Sequence, residues 1–164
     1  MSSGSTQASM TGGCQCGAVR YALRDPPERV HVCHCRMCQK AVGGPFAALA
    51  PIRRENFAWT RGQPGVFKSS SVAERFFCSQ CGTPLGFAYI DAPTTSVTIG
   101  SLDRPQDAIP TFHCGMESRL AWLDRLNEIP TNTTQSLVPA ERMARCVNYQ
   151  HPDHETPPGW HPGH

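Results

Sequence analysis

No apolar run in this sequence approaches the roughly 20 residues that a membrane-spanning helix requires. The opening stretch, MSSGSTQASMTGG, has neither the basic start nor the apolar core of a secretory leader. Neither sign of charge dominates. The formal net charge is +2, no basic stripe is present, and nucleic-acid binding gains no support. Repeats of solenoid type are absent, and helical periodicity is scarce. These absences predict a cytoplasmic protein with no membrane or nucleic-acid partner. A length of 164 residues predicts one domain with tails.

Cysteine, by contrast, is abundant, with nine residues. A core of this size needs no covalent staples. In a reducing compartment, grouped cysteines bind metal more often than they form disulfides, and an odd number argues the same way.

Short β-like runs recur at Val19–Leu23, Phe57–Thr60, Arg75–Cys78, Leu85–Tyr89 and Ser96–Gly100. Turn residues bound each of them, as in Asp25-Pro26-Pro27 and Asp91-Ala92-Pro93. Several alternate with period 2, as half-buried strands do. The expected fold is a mainly antiparallel β domain with a few short helices. Helical turns are expected over Arg36–Val42, Glu117–Asn127 and Pro139–Arg145, the last with proline in its first turn. The expected organisation is an N-terminal tail over 1–10, disordered, a zinc-binding domain over 11–130 and a polar, Pro- and His-rich extension over 131–164. In that extension His151, His154, His161 and His164 are read as solvated, despite their metal-like spacing.

Seven cysteines form three tight groups: Cys14 and Cys16; Cys33, Cys35 and Cys38; and Cys78 and Cys81. Cys16 and Cys81 are each followed by glycine, which lets the backbone turn tightly and aim N–H groups at sulfur. That is the shape of a zinc knuckle. Cys14, Cys16, Cys78 and Cys81 therefore predict one closed, tetrahedral four-cysteine site. Closing so long a loop with a metal converts binding energy into folding energy. Cys33, Cys35 and Cys38 remain, one ligand short of zinc's usual four. Structural sites fill all four positions from protein, whereas catalytic sites keep one open. Closing this site from the chain would require His31, His34, His113 or Cys114. His34 lies between two ligands, and in an extended segment its side chain points away from theirs. Cys114 reads most simply as a small buried residue, and Cys146 as a bystander.

Three stretches carry a family resemblance: GGCQCGAVRY from Gly12 to Tyr21, CHCRMCQK from Cys33 to Lys40, and CSQCGTPL from Cys78 to Leu85. Gly100-Ser101-Leu102-Asp103-Arg104-Pro105, His113, Glu117-Ser118-Arg119 and Trp122 extend it. Over about Gly12 to Pro130 the chain resembles the glutathione-dependent formaldehyde-activating enzymes. The resemblance implies a mainly β fold of stacked, twisted antiparallel sheets with zinc knuckles, and two zinc ions per chain, the first held by Cys14, Cys16, Cys78 and Cys81 and the second, catalytic, by Cys33, Cys35 and Cys38. It also implies a carbon–sulfur lyase that joins or separates formaldehyde and a glutathione-like thiol. Cys114 and Gly115 depart from the bulkier apolar pair expected there.

A zinc with three thiolates is a weak Lewis acid but a good host for a fourth, soft sulfur. The substrate thiol is accordingly expected at the open position, where metal binding deprotonates it; the alternative is a zinc that polarises the aldehyde oxygen. By residue type, His34 and His113 are candidates to move the proton of the new alkoxide. Lys40, Arg53 and Arg119 are candidates to pair with peptide carboxylates. Gly43-Gly44-Pro45-Phe46 would let backbone approach the substrate. Two closed sites would instead make the chain a zinc-stabilised interaction module without turnover. An exposed, labile second cluster would make it a thiol-redox or metal-handling protein.

Overall fold

A computed structural model describes residues 9–161. Residues 1–8 of the expected N-terminal tail, and His164, lie outside them. Two sheets dominate. The smaller has the order β1–β2–β5 and is built from Met10–Gly13 (β1), Arg20–Leu23 (β2) and Phe57–Arg61 (β5). The larger contains His31–Cys33 (β3), Ala47–Arg53 (β4), Gly65–Lys68 (β6), Ala73–Phe77 (β7), Pro84–Tyr89 (β8), Thr94–Thr98 (β9) and Phe112–Cys114 (β10). Its order is β10–β3–β4–β9–β8–β7–β6. Every pairing is antiparallel except β10 with β3, which is parallel. The expected mainly β, two-sheet fold is the observed one. No helix among the described residues is long and apolar enough to cross a membrane.

Side chains alternate across each strand, so the large sheet has two different faces. One face packs Ala50, Ile52, Leu85 and Val97 against Tyr21 and Leu23 of the small sheet. Trp59 packs against that core, edge-on to both Tyr21 and Phe57. The other face presents Ala47 and Leu49 to a seven-residue helix, Arg36–Val42 (α1), through Cys38. Helix α1 stops at Gly43, whose φ of 64° places it in the left-handed region that glycine tolerates. The Glu117–Asn127 region is helical but of 3-10 type, in two pieces, Met116–Ser118 and Ala121–Glu128. Ala140–Ala144 is a short α-helix capped by Pro139.

Arg20 is the best-buried cation, with its side chain 2% exposed. Its guanidinium meets both oxygens of Asp103, at 2.8 and 2.5 Å, and Glu155 at 2.8 Å. Thr11 donates a further bond to Asp103 at 2.5 Å. These contacts tie β2 to the turn after β9 and to the C-terminal segment.

That segment is not a solvated tail. His151 is 3% exposed, and its ring lies against Gly17 and edge-on to Trp160. The backbone N–H of His151 donates to the carbonyl of Gln15 at 2.7 Å, and Thr156 accepts from Arg61 at 3.0 Å. The expectation for His151 fails because Gly17 has no side chain to keep an imidazole off the backbone. His154 and His161 are exposed, as expected.

Asp103 responds to two opposed effects. Burial raises its pKa, but the Arg20 and Thr11 hydrogen bonds outweigh that and hold the carboxyl below its ordinary 3.8. Its stabilisation is complete above that ordinary value and is lost as pH falls through the depressed one. Asp103→Asn should cost on the order of 3 kcal/mol near neutrality, because Arg20 keeps its burial and loses its main partner. Urea denaturation near neutrality measures this, and the gap between wild type and variant should narrow only as pH falls below the ordinary carboxylate value of 3.8.

Candidate metal centre and active site

The two knuckles repeat one local design. After β1, Gly17 returns its N–H to the carbonyl of Cys14 at 3.1 Å; after β7, Gly82 does the same to Cys78 at 2.9 Å. Both glycines have φ of 78°, where a side chain would be strained. The turns aim N–H groups at sulfur, Val19 at Cys14 (3.2 Å) and Gln80 at Cys78 (3.4 Å). Cys14, Cys16, Cys78 and Cys81 consequently hold their sulfurs within 4.8 Å of one another. Cys14 and Cys16 are 3.6 Å apart, and Cys16 and Cys78 are 3.8 Å apart. Four thiolates placed tetrahedrally about a metal at about 2.3 Å would be separated by about 3.8 Å.

The second cluster sits where β3 meets α1. Cys33 ends the strand, Cys35 caps the helix with its sulfur 3.4 Å from the Cys38 N–H, and Cys38 lies on the buried helix face. These three sulfurs also lie within 4.8 Å of one another, and no fourth donor among the described residues joins them. Each cluster can hold a metal ion.

Protonation of the bare sulfurs points the same way. Burial pushes Cys16 and Cys38 up to about 12, Cys33 up to about 11, and raises Cys14. Buried thiols crowded like this stay neutral unless a cation compensates them. Two resist. Burial raises Cys81 too, but the Thr83 hydroxyl and backbone N–H bring it down to about 6. Burial likewise acts to raise Cys35, but the Cys38 N–H, the neighbouring thiols and the Arg75 charge outweigh it and leave this thiol lowered.

His34 is turned to the other side of β3. It is 1% exposed, stacks on His113 with ring centres 5.2 Å apart, and meets Phe46 edge-on. Its Nε2 lies 2.9 Å from Nδ1 of His113, while its own Nδ1 is buried with no partner. Burial lowers the pKa of His34, and the nearby His113 and Arg119 lower it further. His113 reaches the surface. The parallel β10–β3 pairing creates this contact by setting His113 opposite Val32 and Cys114 opposite Cys33. Gln39 fixes the frame, donating from Nε2 to the carbonyls of His34 and Ser118 at 2.8 and 2.9 Å.

Cys114 is half-buried beside Cys33 and is not one of the clustered sulfurs. Gly115 has φ of 64°, and a Cβ there would lie 2.5 Å from the Cys35 nitrogen. The unusual Cys114-Gly115 pair thus lets β10 lie directly against the cluster. His31 stacks on Phe112 away from the sulfurs. All nine cysteines are free thiols, and Cys146 is exposed.

The three expected anion-binding cations separate. Lys40 lines a cavity of about 560 Å³ between α1 and strands β6–β8. Arg119 lies near the histidine pair and bonds Asp124 at 2.8 Å. Arg53 is not at the site. It ends β4 six residues beyond Ala47, the partner of Cys33, about 20 Å along the strand. There it is exposed beside Glu55. A residue absent from the expected set is Arg75, whose Nη2 is 3.5 Å from the Cys38 sulfur and whose guanidinium lies over Phe87. It sits within an ordinary strand pattern, Arg75-Phe76-Phe77-Cys78, and only the sheet order brings it to α1.

Comparison with known proteins agrees with this arrangement. A protein from Schizosaccharomyces pombe, named as an uncharacterized lyase, is 35% identical over 78 residues, which span 48% of this chain and 56% of that protein. A Halomonas elongata protein, provisionally named a glutathione-dependent formaldehyde-activating enzyme, is 27% identical over 128 residues, 70% of this chain and 80% of that one. A Rhodobacter sphaeroides crystal structure shares the fold, with a TM-score of 0.50 and 24% identity over 63% of this chain and 99% of that one. The family profile described as glutathione-dependent formaldehyde-activating enzyme matches residues 9–118, which include both cysteine clusters and His113. With that match covering more than half of its length, the chain belongs to the glutathione-dependent formaldehyde-activating enzyme family.

Proposed function

We propose that the protein is a carbon–sulfur lyase or synthase that makes and breaks the adduct of a thiol and a small aldehyde such as formaldehyde. The observation that carries this reading is the three-sulfur cluster with no fourth donor from the described residues, interleaved in sequence with His34, a buried histidine that contacts the exposed His113. In this reading Cys14, Cys16, Cys78 and Cys81 hold a structural zinc, and Cys33, Cys35 and Cys38 hold a second. Zinc bound by the three sulfurs would supply a soft position suited to a substrate thiolate. Seven cysteines grouped as metal ligands fit a reducing, cytoplasmic setting.

The residues around the cluster divide the remaining work. Adduct formation joins the thiol sulfur to the aldehyde carbon and leaves a proton to be placed on the former carbonyl oxygen; cleavage removes it. His113 is the surface member of the pair; sharing His34's side of β3, opposite the cluster, it exchanges that proton with the substrate oxygen through water rather than by direct contact. His34 holds the His113 ring through the Nδ1 contact. Because Nδ1 of His34 has no partner, the economical arrangement has His34 donating from Nε2 and keeping only a lone pair buried. His113 then carries its own proton on Nε2, the nitrogen free to meet water. Arg75 faces the Cys38 sulfur, where its charge favours an anionic cluster. Lys40, two residues past Cys38 on α1, lines the cavity and pairs with substrate carboxylate; Arg119, held by Asp124, does so from the histidine side.

Two measurements test this reading. With cobalt in place of zinc, adding a thiol should strengthen the sulfur-to-cobalt charge-transfer absorption of the wild type. A Cys38→Ser variant should lose that response and keep the signal of the four-cysteine site. No response with any thiol would sink the reading and leave an interaction module. In the second test, exchange NMR with formaldehyde and thiol should show adduct turnover slowed about 100-fold in His113→Asn. Metal content should not change, and a rate equal to wild type would remove His113 from the proton path.

A further inference from the structure

The cavity of about 560 Å³ beside the three-sulfur cluster lies within the usual size range for small-ligand sites. Helix α1 builds both places: Cys35 and Cys38 face the cluster, while Arg36 and Lys40 line the cavity. Arg75 joins them from the sheet, lining the cavity with its guanidinium 3.5 Å from the Cys38 sulfur. The cluster cysteines do not themselves line the cavity, so a molecule with its sulfur at the cluster would enter this space by way of Arg75, the residue that touches both.

The lining has an unusual charge balance. Arg36, Lys40 and Arg75 contribute three cations, and no aspartate or glutamate lines the cavity. Among the described residues none of the three is in an ion pair. Arg36 reaches only the side-chain oxygen of Gln39, at 3.3 Å, and Arg75 only sulfur and the Phe87 ring. Ser69 lines the same space, although its hydroxyl oxygen is turned away from it, buried and without a hydrogen-bond partner. Leu49, Phe76, Phe77 and Pro84 supply apolar wall. Three unpaired cations on an otherwise apolar wall suit an anionic ligand. Nothing in the lining would neutralise a ligand cation.

That balance bears on glutathione, which carries two carboxylates and one ammonium group. The carboxylates find partners here. The ammonium would be placed among like charges with no carboxylate to meet it, and like-charge juxtaposition rejects ligands. We propose that this cavity selects a thiol whose far end is purely anionic, a thiol acid bearing carboxylate or phosphate and no ammonium group, in preference to glutathione itself. The inference rests on the reading that substrate thiol binds at Cys33, Cys35 and Cys38, and refines which thiol that is.

The test is a titration of the cobalt-loaded full chain with three thiols, read by the charge-transfer band and by calorimetry. The thiols are glutathione, its deaminated analogue glutaryl-cysteinylglycine, and 4′-phosphopantetheine. The deaminated analogue should bind about tenfold more tightly than glutathione at low salt, and the preference should shrink as salt screens it. A phosphopantetheine affinity above that of the analogue would identify phosphate as the favoured anion; the reverse would identify carboxylate. Arg75→Met should reduce the preference for the deaminated thiol to about twofold or less. Lys40→Met, on the exposed face of α1, should weaken it without disturbing the fold. Equal affinities for glutathione and its deaminated analogue, or a preference unchanged in both variants, would overturn the selectivity while leaving the thiol-binding reading intact. A spectrum unmoved by all three thiols would remove both.

Discussion

Sulfur crowding is the constraint from which the rest of this structure follows. Cys16 and Cys78, 62 residues apart in sequence, bring their sulfurs within 3.8 Å. Neutral thiols gain little from such closeness, and ionised ones repel. The arrangement suits a cation between them, and the affinity of a metal bound there would add to the stability of the fold. The four-cysteine cluster binds the end of β1 to the β7–β8 turn, pinning the small sheet to the large one. The two sheets, once stacked, present α1 to a fixed surface of Ala47 and Leu49. Only then do Arg75, Cys38 and the cavity share one neighbourhood.

The sites were legible in the sequence to the extent that local spacing determines them. Each knuckle lies within a few residues, and its glycine marks the conformation it needs, so four ligands separate cleanly from three. Strands with alternating polarity, such as β7 and β8, were legible for the same reason. Strand β4 was not. Ala47–Arg53 reads AALAPIR, an apolar run with a proline inside, which argues against a central strand. The register explains how it survives. Pairing with β3 ends at Leu49, so Pro51 faces β9 on one side and the β3 side no longer asks it for a ladder hydrogen bond. Strands β3 and β10 have only three residues each, too few for a period to declare itself.

What local pattern could not supply was distance between remote residues. The histidines were selectable by type, but their contact depends on a parallel pairing between segments 79 residues apart, and chain order says nothing of that. Arg75 and Arg53 are equivalent as sequence and opposite as structure: each lies on a strand, but only one strand position meets α1. His151 is the reverse case. Its surroundings are proline-rich and without apolar period, the composition of a solvated tail, and what buries it is the bare backbone at Gly17.

The placement of His151 over Gly17 carries a consequence for how the chain is made. A ribosome adds about 5–20 residues per second. Cys81 completes the set of four ligands, and about 70 residues of further synthesis separate it from His151 and Trp160, which lie against the first knuckle. For roughly 4–14 seconds the nascent protein owns all four thiols and none of their cover. The fold thus has an order of assembly written along its length: ligands early, lid last, with an interval between them in which a metal donor has the site to itself.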